Sequence, residues 1–131
     1  MINRETTLTD LRGAILGEVN LSTSLEEQFQ NKTLRPILKF QNDILVSFFI
    51  AYAIKNKNAF FSLSLSNKER YIEKAVQSDT VFRNQLIGIV IGLFTVEEYN
   101  EYIKNSSNLN KRILKMLIER WKSQVQILDY K

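Results

Sequence analysis

Apolar side chains recur every three or four residues along most of this chain, which is the spacing of one face of an α-helix. The last such stripe predicts a helix over about 108–128 and contains Leu114, Leu117, Ile118, Trp121, Val125 and Leu128. The longest strict alternation of apolar and polar residues, the pattern that marks a half-buried strand, is the short stretch 61–66, which we expect to form a turn against the core. The pattern therefore predicts an all-α protein.

Helix starts are indicated where Ser or Thr precedes an acidic residue by three positions, because each side chain then satisfies a backbone amide of the first turn. Four pairs have this capping-box spacing: Thr7/Asp10, Ser24/Glu27, Ser66/Glu69 and Thr95/Glu98. Asp79 and Ser107 are single candidates for a helix N-cap. With the apolar stripes, these signals predict six to seven helices, the first over about 8–19.

One predicted helix is longer and more apolar than its neighbours. It starts near Pro36, which fits the first turn of a helix, and runs over about 34–56. Its predicted inward stripe consists of Ile37, Phe40, Ile44, Phe48, Ala51 and Ile54. After Leu45 almost every side is apolar, so other helices are expected to cover it. The prediction is a compact bundle around this long central helix, in a single domain over 1–131.

Composition agrees with a single helical domain. The chain has 131 residues, of which 44% are hydrophobic and 24% charged, with one proline and four glycines. The apolar runs at 44–54 and 86–94 are shorter than the roughly 18–20 residues that cross a bilayer, so no membrane association is expected. The N-terminus is polar, and the absence of cysteine removes a disulfide framework. We expect a cytoplasmic protein.

Positive charge is concentrated at the C-terminal end. Residues 104–131 carry seven basic and two acidic side chains, so this segment has a net charge of +5 within a total of +4. A basic helix favours an anionic partner, and nucleic acid is therefore one alternative. A solvated helix face is the other interpretation.

The absence of histidine and cysteine excludes much enzymatic chemistry. It removes the commonest general base, the thiolate nucleophile and the usual zinc ligands. The acid pairs Glu69/Glu73 and Glu97/Glu101 lie one turn apart, but acids early in a helix also stabilise its N-terminus. We therefore predict no metal and no cofactor. A Ser–Lys pair stays open, because its members can lie far apart in sequence, but the residue types favour a non-enzymatic role.

Two polar stretches, 30–43 and 105–112, combine amide, hydroxyl and guanidinium groups that can hold an anion. Arg35 and Arg112 are the first candidates for such a site, with Asn42 and Asn110 as weaker ones. Ordinary helix junctions have the same composition, because Asn, Ser and Thr cap exposed backbone groups. The sequence leaves open whether the two stretches form one site.

Three segments resemble a small family of functionally uncharacterised bacterial proteins. These are Phe29 to Asp43, Gly92 to Tyr99 and Asn105 to Arg120. The similarity covers nearly the whole chain and implies a bacterial protein. Some members are labelled glyoxalases, but metal-dependent glyoxalases need histidine and glutamate ligands on a different scaffold. No catalytic residue is therefore carried over to this chain.

Together these features favour a structural or protein-interaction module that forms a homodimer. Trp121 lies on the last predicted helix, whose apolar stripe is wide, and a terminal helix with more apolar surface than its own domain covers would pair with a second copy. The predicted core or interface residues are Trp121, Leu117, Val125 and Leu128. The alternatives are a small-ligand protein or enzyme that binds an anion through Arg35 and Arg112, and a nucleic-acid-binding protein that uses the basic last helix.

Overall fold

A computed structural model describes residues 2–13 and 24–129, and every regular element in that part of the chain is helical, without a strand. The predicted all-α class is confirmed. The α-helices are α1 (Arg4–Arg12), α2 (Leu25–Phe29), α3 (Arg35–Phe40), α4 (Asn42–Lys55), α5 (Leu65–Ser78), α6 (Thr80–Ile91), α7 (Val96–Ile103) and α8 (Ser106–Ser123). A π-helical turn, Gln30–Leu34, joins α2 to α3, and short 3-10 turns lie at Ala59–Ser62 and Val125–Ile127.

Contacts group the chain into two units. The first combines Met1–Gln41 with Ile87–Ile113, and the second combines Asn42–Leu86 with Leu114–Lys131. Helices α6 and α8 each contribute residues to both units. The single domain over 1–131 stays a prediction.

The core of the first unit is built around aromatic contacts between α2, α7 and the turn that precedes α7. The Phe94 ring meets Phe29 edge-on at 5.5 Å and Tyr102 at 5.6 Å between centroids. The capping box of Thr95 and Glu98 is confirmed, since each side chain bonds the other's backbone amide. It fixes the start of α7 and so the position of Phe94 just before it.

The core of the second unit is centred on Phe49 of α4, which is fully buried. Its ring lies 5.0 Å from Trp121 of α8, 4.9 Å from Phe60 and 6.2 Å from Tyr71 of α5. Aromatic pairs at these separations stabilise the fold beyond the area they bury. Four elements of this unit are therefore fixed around one side chain.

The predicted long helix over 34–56 is wrong as a continuous element. The chain leaves helical geometry at Gln41, where ψ is 5°, and α3 and α4 are separate helices on either side. The Gln41 amide donates to the backbone carbonyl of Ile89 at 3.3 Å. Gln41 is itself a good helix former, but Asn42 and Asp43 after it are weaker ones, and the contact with Ile89 accompanies the break.

The predicted inward stripe of α4 is also wrong. Ile44 and Ile54 are 52% and 39% exposed, and Ala51 is exposed as well. The buried residues of α4 are instead Leu45, Phe49 and Ala53, on the opposite side. Because α4 is apolar on nearly every side, periodicity alone could not select the face that enters the core.

Three helix ends differ from their predictions. Helix α1 begins at Arg4 with Asn3 as its cap and ends at Arg12, so the Thr7/Asp10 box is wrong, and residues 14–19 of that predicted helix lie outside the described part. Helix α5 uses Ser64 as its cap instead of Ser66. Helix α8 starts at Ser106, before the predicted Ser107 cap. Several residues able to cap a helix lie close together at each start, Asn3 and Thr7 at α1 and pairs of serines at α5 and α8, and local spacing could not choose among them.

Within the described residues, no single helix is both long and apolar enough to cross a bilayer, although the broken pair 25–40 and 42–55 reaches that length and composition together.

Candidate functional site

The exposed side of α4 is an apolar surface within the second unit. It is formed by Ile44, Ser47, Ala51 and Ile54, which recur at intervals of three and four residues and are all exposed. We call these four residues the α4 face. Asp43 and Lys55 lie at its two ends and are also exposed. Contiguous exposed apolar side chains with polar residues around them are candidates for a surface that binds a partner.

The α4 face has a symmetry that bears on what could cover it. Measured along the chain from Phe49, Ser47 and Ala51 are equally distant on either side. The same holds for Ile44 with Ile54, and for Asp43 with Lys55. At about 100° per residue, each pair is symmetric about the direction opposite Phe49. Since Phe49 is fully buried, the centre of the α4 face points away from the core.

Several contacts hold α4 in this orientation. Tyr52 stacks on Phe82 of α6 with 3.9 Å between ring centroids, and its hydroxyl donates to Asp79 at 3.0 Å. Phe48, on the flank of the α4 face, also stacks on Phe82 at 5.6 Å. These rings fix the helix about its own axis, so the α4 face is presented by a rigid element.

The N-terminal end of α4 is tied to the C-terminal end of α8 by Asn42. Its side-chain amide donates to Gln124 Oε1 at 2.8 Å, and Gln124 Nε2 donates back to Asn42 Oδ1 at 2.9 Å. Arg120 Nε donates to the same oxygen at 3.2 Å, and burial lowers the pKa of Arg120. Asn42, a predicted ligand residue, thus has three hydrogen bonds within the second unit.

The other predicted ligand residues lie in the first unit. Arg112 donates from Nη1 to Gln30 Oε1 at 2.9 Å, so the two polar stretches do meet at this point. Asn110 accepts a 2.5 Å hydrogen bond from the Tyr102 hydroxyl. Arg35 is exposed and makes no hydrogen bond or ion pair within 2–13 and 24–129. No hydrogen bond or ion pair joins Arg35 to Arg112 or to Asn110 in that part of the chain, and an anion site there stays a prediction.

The predicted core or interface residues surround the end of α8. Trp121 is 1% exposed and stacks on Phe82 at 6.0 Å, while Leu117 and Leu128 are fully buried and Val125 is half-buried. The structure therefore places Trp121 inside the second unit. Trp121 is therefore not exposed to a partner, whereas the α4 face is one of several exposed apolar surfaces in the described residues.

A buried ion pair in the first unit was missed by the sequence analysis. Arg12 donates to both carboxylate oxygens of Glu98, at 2.6 and 2.7 Å, and the Thr33 hydroxyl donates to one of them at 2.8 Å. Burial alone would raise the pKa of Glu98, but these bonds and one from the Thr95 amide hold that pKa below its usual value. The Thr95/Glu98 spacing located the carboxylate in advance, whereas nothing in the sequence indicated Arg12 as its partner.

One acid from the predicted pairs has a structural partner. Glu73 forms an ion pair with Lys122 in the second unit. Within 2–13 and 24–129, no group of three or more acidic side chains is placed to hold a metal ion.

Comparison with protein-family models, with characterised proteins and with solved structures found no match to this chain. The resemblance to a bacterial family therefore stays a prediction.

Proposed function

We propose that this chain is a protein-interaction module that forms a homodimer by antiparallel pairing of the α4 face with the same face of a second copy. The observation that carries the proposal is the symmetry of the exposed residues about Phe49. In a twofold dimer, each surface patch meets its own equivalent, so the patch must be complementary to itself. The shape of the α4 face supports such self-complementarity, and so do the opposite charges of Asp43 and Lys55 at its two ends.

The two smallest side chains of the α4 face lie at the centre of the proposed pairing. An axis at the level of Phe49 would place Ser47 of one copy opposite Ala51 of the other. Small side chains at this position allow two helices to approach to about 8 Å. Ile44 and Ile54 would then pack against each other on both sides of the axis and bury their exposed apolar surface.

The charges at the two ends of α4 favour antiparallel over parallel pairing. Antiparallel pairing places Asp43 of each copy beside Lys55 of the other. Parallel pairing would instead place Asp43 beside Asp43 and Lys55 beside Lys55, and like charges in contact are unfavourable. A partner with unrelated chemistry would have no reason to match this mirrored arrangement.

The expected dimer is weak. Helix α4 has 14 residues and is therefore about 21 Å long, so one helix pair buries less than the roughly 800 Å² per partner of a stable interface. We expect association in the micromolar range, with monomer and dimer in rapid exchange. The proposed role is one of binding rather than catalysis, and a cytoplasmic location belongs to the same proposal.

Sedimentation equilibrium of charge variants tests the proposal. Asp43→Lys and Lys55→Asp should each weaken the dimer, because each places like charges together. The double variant should restore it, since the two pairs are then complementary again. Asn84→Asp, an exposed change on α6, is the control and should leave association unchanged. A wild-type chain that stays monomeric at about 1 mM, or a double variant no better than the single ones, would contradict the proposal.

A further inference from the structure

The second unit contains an open cleft beside the end of α4, with a volume of about 570 Å³. This lies within the range of about 300–1,000 Å³ that is usual for small-molecule sites. Its walls come from α4, from one face of α5 and from the first turn of α6. The lining residues include Tyr52, Tyr71, Lys74, Ser78, Asp79 and Val81.

One wall of the cleft is fixed by hydrogen bonds. Asp79 caps α6 by accepting from the Phe82 amide at 3.1 Å, and its other oxygen accepts from the Tyr52 hydroxyl at 3.0 Å. The hydrogen bond from the Phe82 amide lowers the pKa of Asp79 most, and the bond from the Tyr52 hydroxyl lowers it further. The positive charge of Lys55 acts in the same direction. The carboxylate is therefore ionised, but its oxygens are already engaged and its charge is partly offset.

The other wall offers hydrogen-bond donors that have no partner. Lys74 and Ser78 lie one turn apart on α5, and neither side chain has a hydrogen bond or ion pair within the described residues. The Tyr71 ring packs against Phe49 and Phe60, and its hydroxyl has no hydrogen-bond partner among the described residues. Burial raises the pKa of Tyr71, so this hydroxyl keeps its proton at neutral pH.

We infer that this cleft binds a small organic anion, with its carboxylate or phosphate group held by Lys74 and the hydroxyls of Tyr71 and Ser78. Such groups accept hydrogen bonds only, and charge-assisted bonds from an ammonium group are stronger than neutral ones. The nearby charges are favourable, since Lys55 and Lys74 together outnumber the single carboxylate of Asp79.

The size and lining of the cleft indicate that the anion carries an apolar part. A bare phosphate ion would occupy only a small part of this volume. Ala75 forms part of the floor, and Val81, which is exposed, forms part of the rim. A ring or short apolar group placed there would cover Val81, and removal of this apolar side chain from water would stabilise the complex.

Isothermal titration calorimetry with defined probes tests this inference independently of the homodimer. Benzoate and phenyl phosphate should bind, whereas benzyl alcohol, which lacks the charge, should bind at least about tenfold more weakly. Inorganic phosphate, which lacks the ring, should also bind more weakly than phenyl phosphate. Lys74→Gln should lower the affinity for both anions about tenfold or more.

Lys115→Gln is the matched control, because Lys115 is exposed in the same unit and does not line the cleft. It should leave both affinities unchanged. Absence of binding by both aromatic anions at about 10 mM would overturn the inference. Equal binding of benzyl alcohol, or an affinity insensitive to Lys74→Gln, would also overturn it. Equal binding of inorganic phosphate would contradict the apolar part of the assignment.

Discussion

At the scale of single residues, the least replaceable polar group is Glu98. It is a cap for α7, the partner of Arg12 and an acceptor for Thr33. Sequence spacing identified the first of these roles because capping is local. The other two depend on residues 86 and 65 positions away, which no pattern along the chain brings together.

The pH dependence of stability should reveal this ion pair. Burial opposes ionisation of Glu98, but its hydrogen bonds outweigh it and hold the folded-state pKa below its usual value. The resulting stability is therefore present above the unfolded-state pKa and is lost as pH falls through the folded-state value. Thermal unfolding should show a decline below about pH 4.5 that Glu98→Gln reduces.

At neutral pH, Arg12→Met and Glu98→Gln should each strongly destabilise the fold. Arg12→Met leaves a buried carboxylate without its counter-ion and should cost about 3–5 kcal/mol in urea unfolding. Thr7→Ala is the control, because Thr7 is an exposed residue of the same helix. A cost for Arg12→Met no larger than that of the control would show that the ion pair does not stabilise the fold.

Trp121 allows a second test at residue scale. Its ring is 1% exposed and packs on Phe49 and Phe82, so Trp121→Ala should cost about 3–5 kcal/mol in the free energy of unfolding. Trp121→Phe should cost less, because part of the ring volume remains. Chemical denaturation measures both. An unchanged midpoint for Trp121→Ala would place the ring outside the core.

At the scale of elements, the sequence predicted which segments are helical better than it predicted how they are oriented. Helix α8 is amphipathic, its polar residues mark the outer side, and there the stripe identified Leu117 and Trp121 as inward. Helix α4 has almost no such residues, and its stripe was assigned to the wrong side. The break at Gln41, which is accompanied by a contact with Ile89, was also missed.

A matched pair of variants on α4 tests its orientation. Phe49→Ala removes a fully buried ring and should cost about 3–5 kcal/mol. Ile44→Ala lies on the α4 face and should change the stability of the dilute monomer by no more than about 0.5 kcal/mol. Urea unfolding at low protein concentration compares them. Equal costs, or a larger cost for Ile44→Ala, would contradict the orientation of α4.

At the scale of the whole molecule, the central claim is that two copies pair through α4. The helical class and the absence of histidine and cysteine favoured a binding role at the level of the sequence, where it stays a prediction, and they did not locate a surface. The predicted ligand residues were chosen for their side-chain types, and Asn42, Asn110 and Arg112 each have partners within their own unit. The α4 face could be recognised only once Phe49 was known to be buried.

Disulfide trapping is the most direct measurement, because the natural chain has no cysteine that would interfere. Ser47→Cys protein mixed with Ala51→Cys protein should give a mixed disulfide dimer under mild oxidation, since antiparallel pairing sets these two positions opposite each other. Exposed Ser66→Cys, in the same unit, is the control and should cross-link only at the rate of random collision. With equal amounts of the two variants, random pairing would give as much mixed dimer as both same-variant dimers together, and the predicted result is a mixed dimer well above that sum. Cross-linking no faster than the control would contradict pairing through the α4 face.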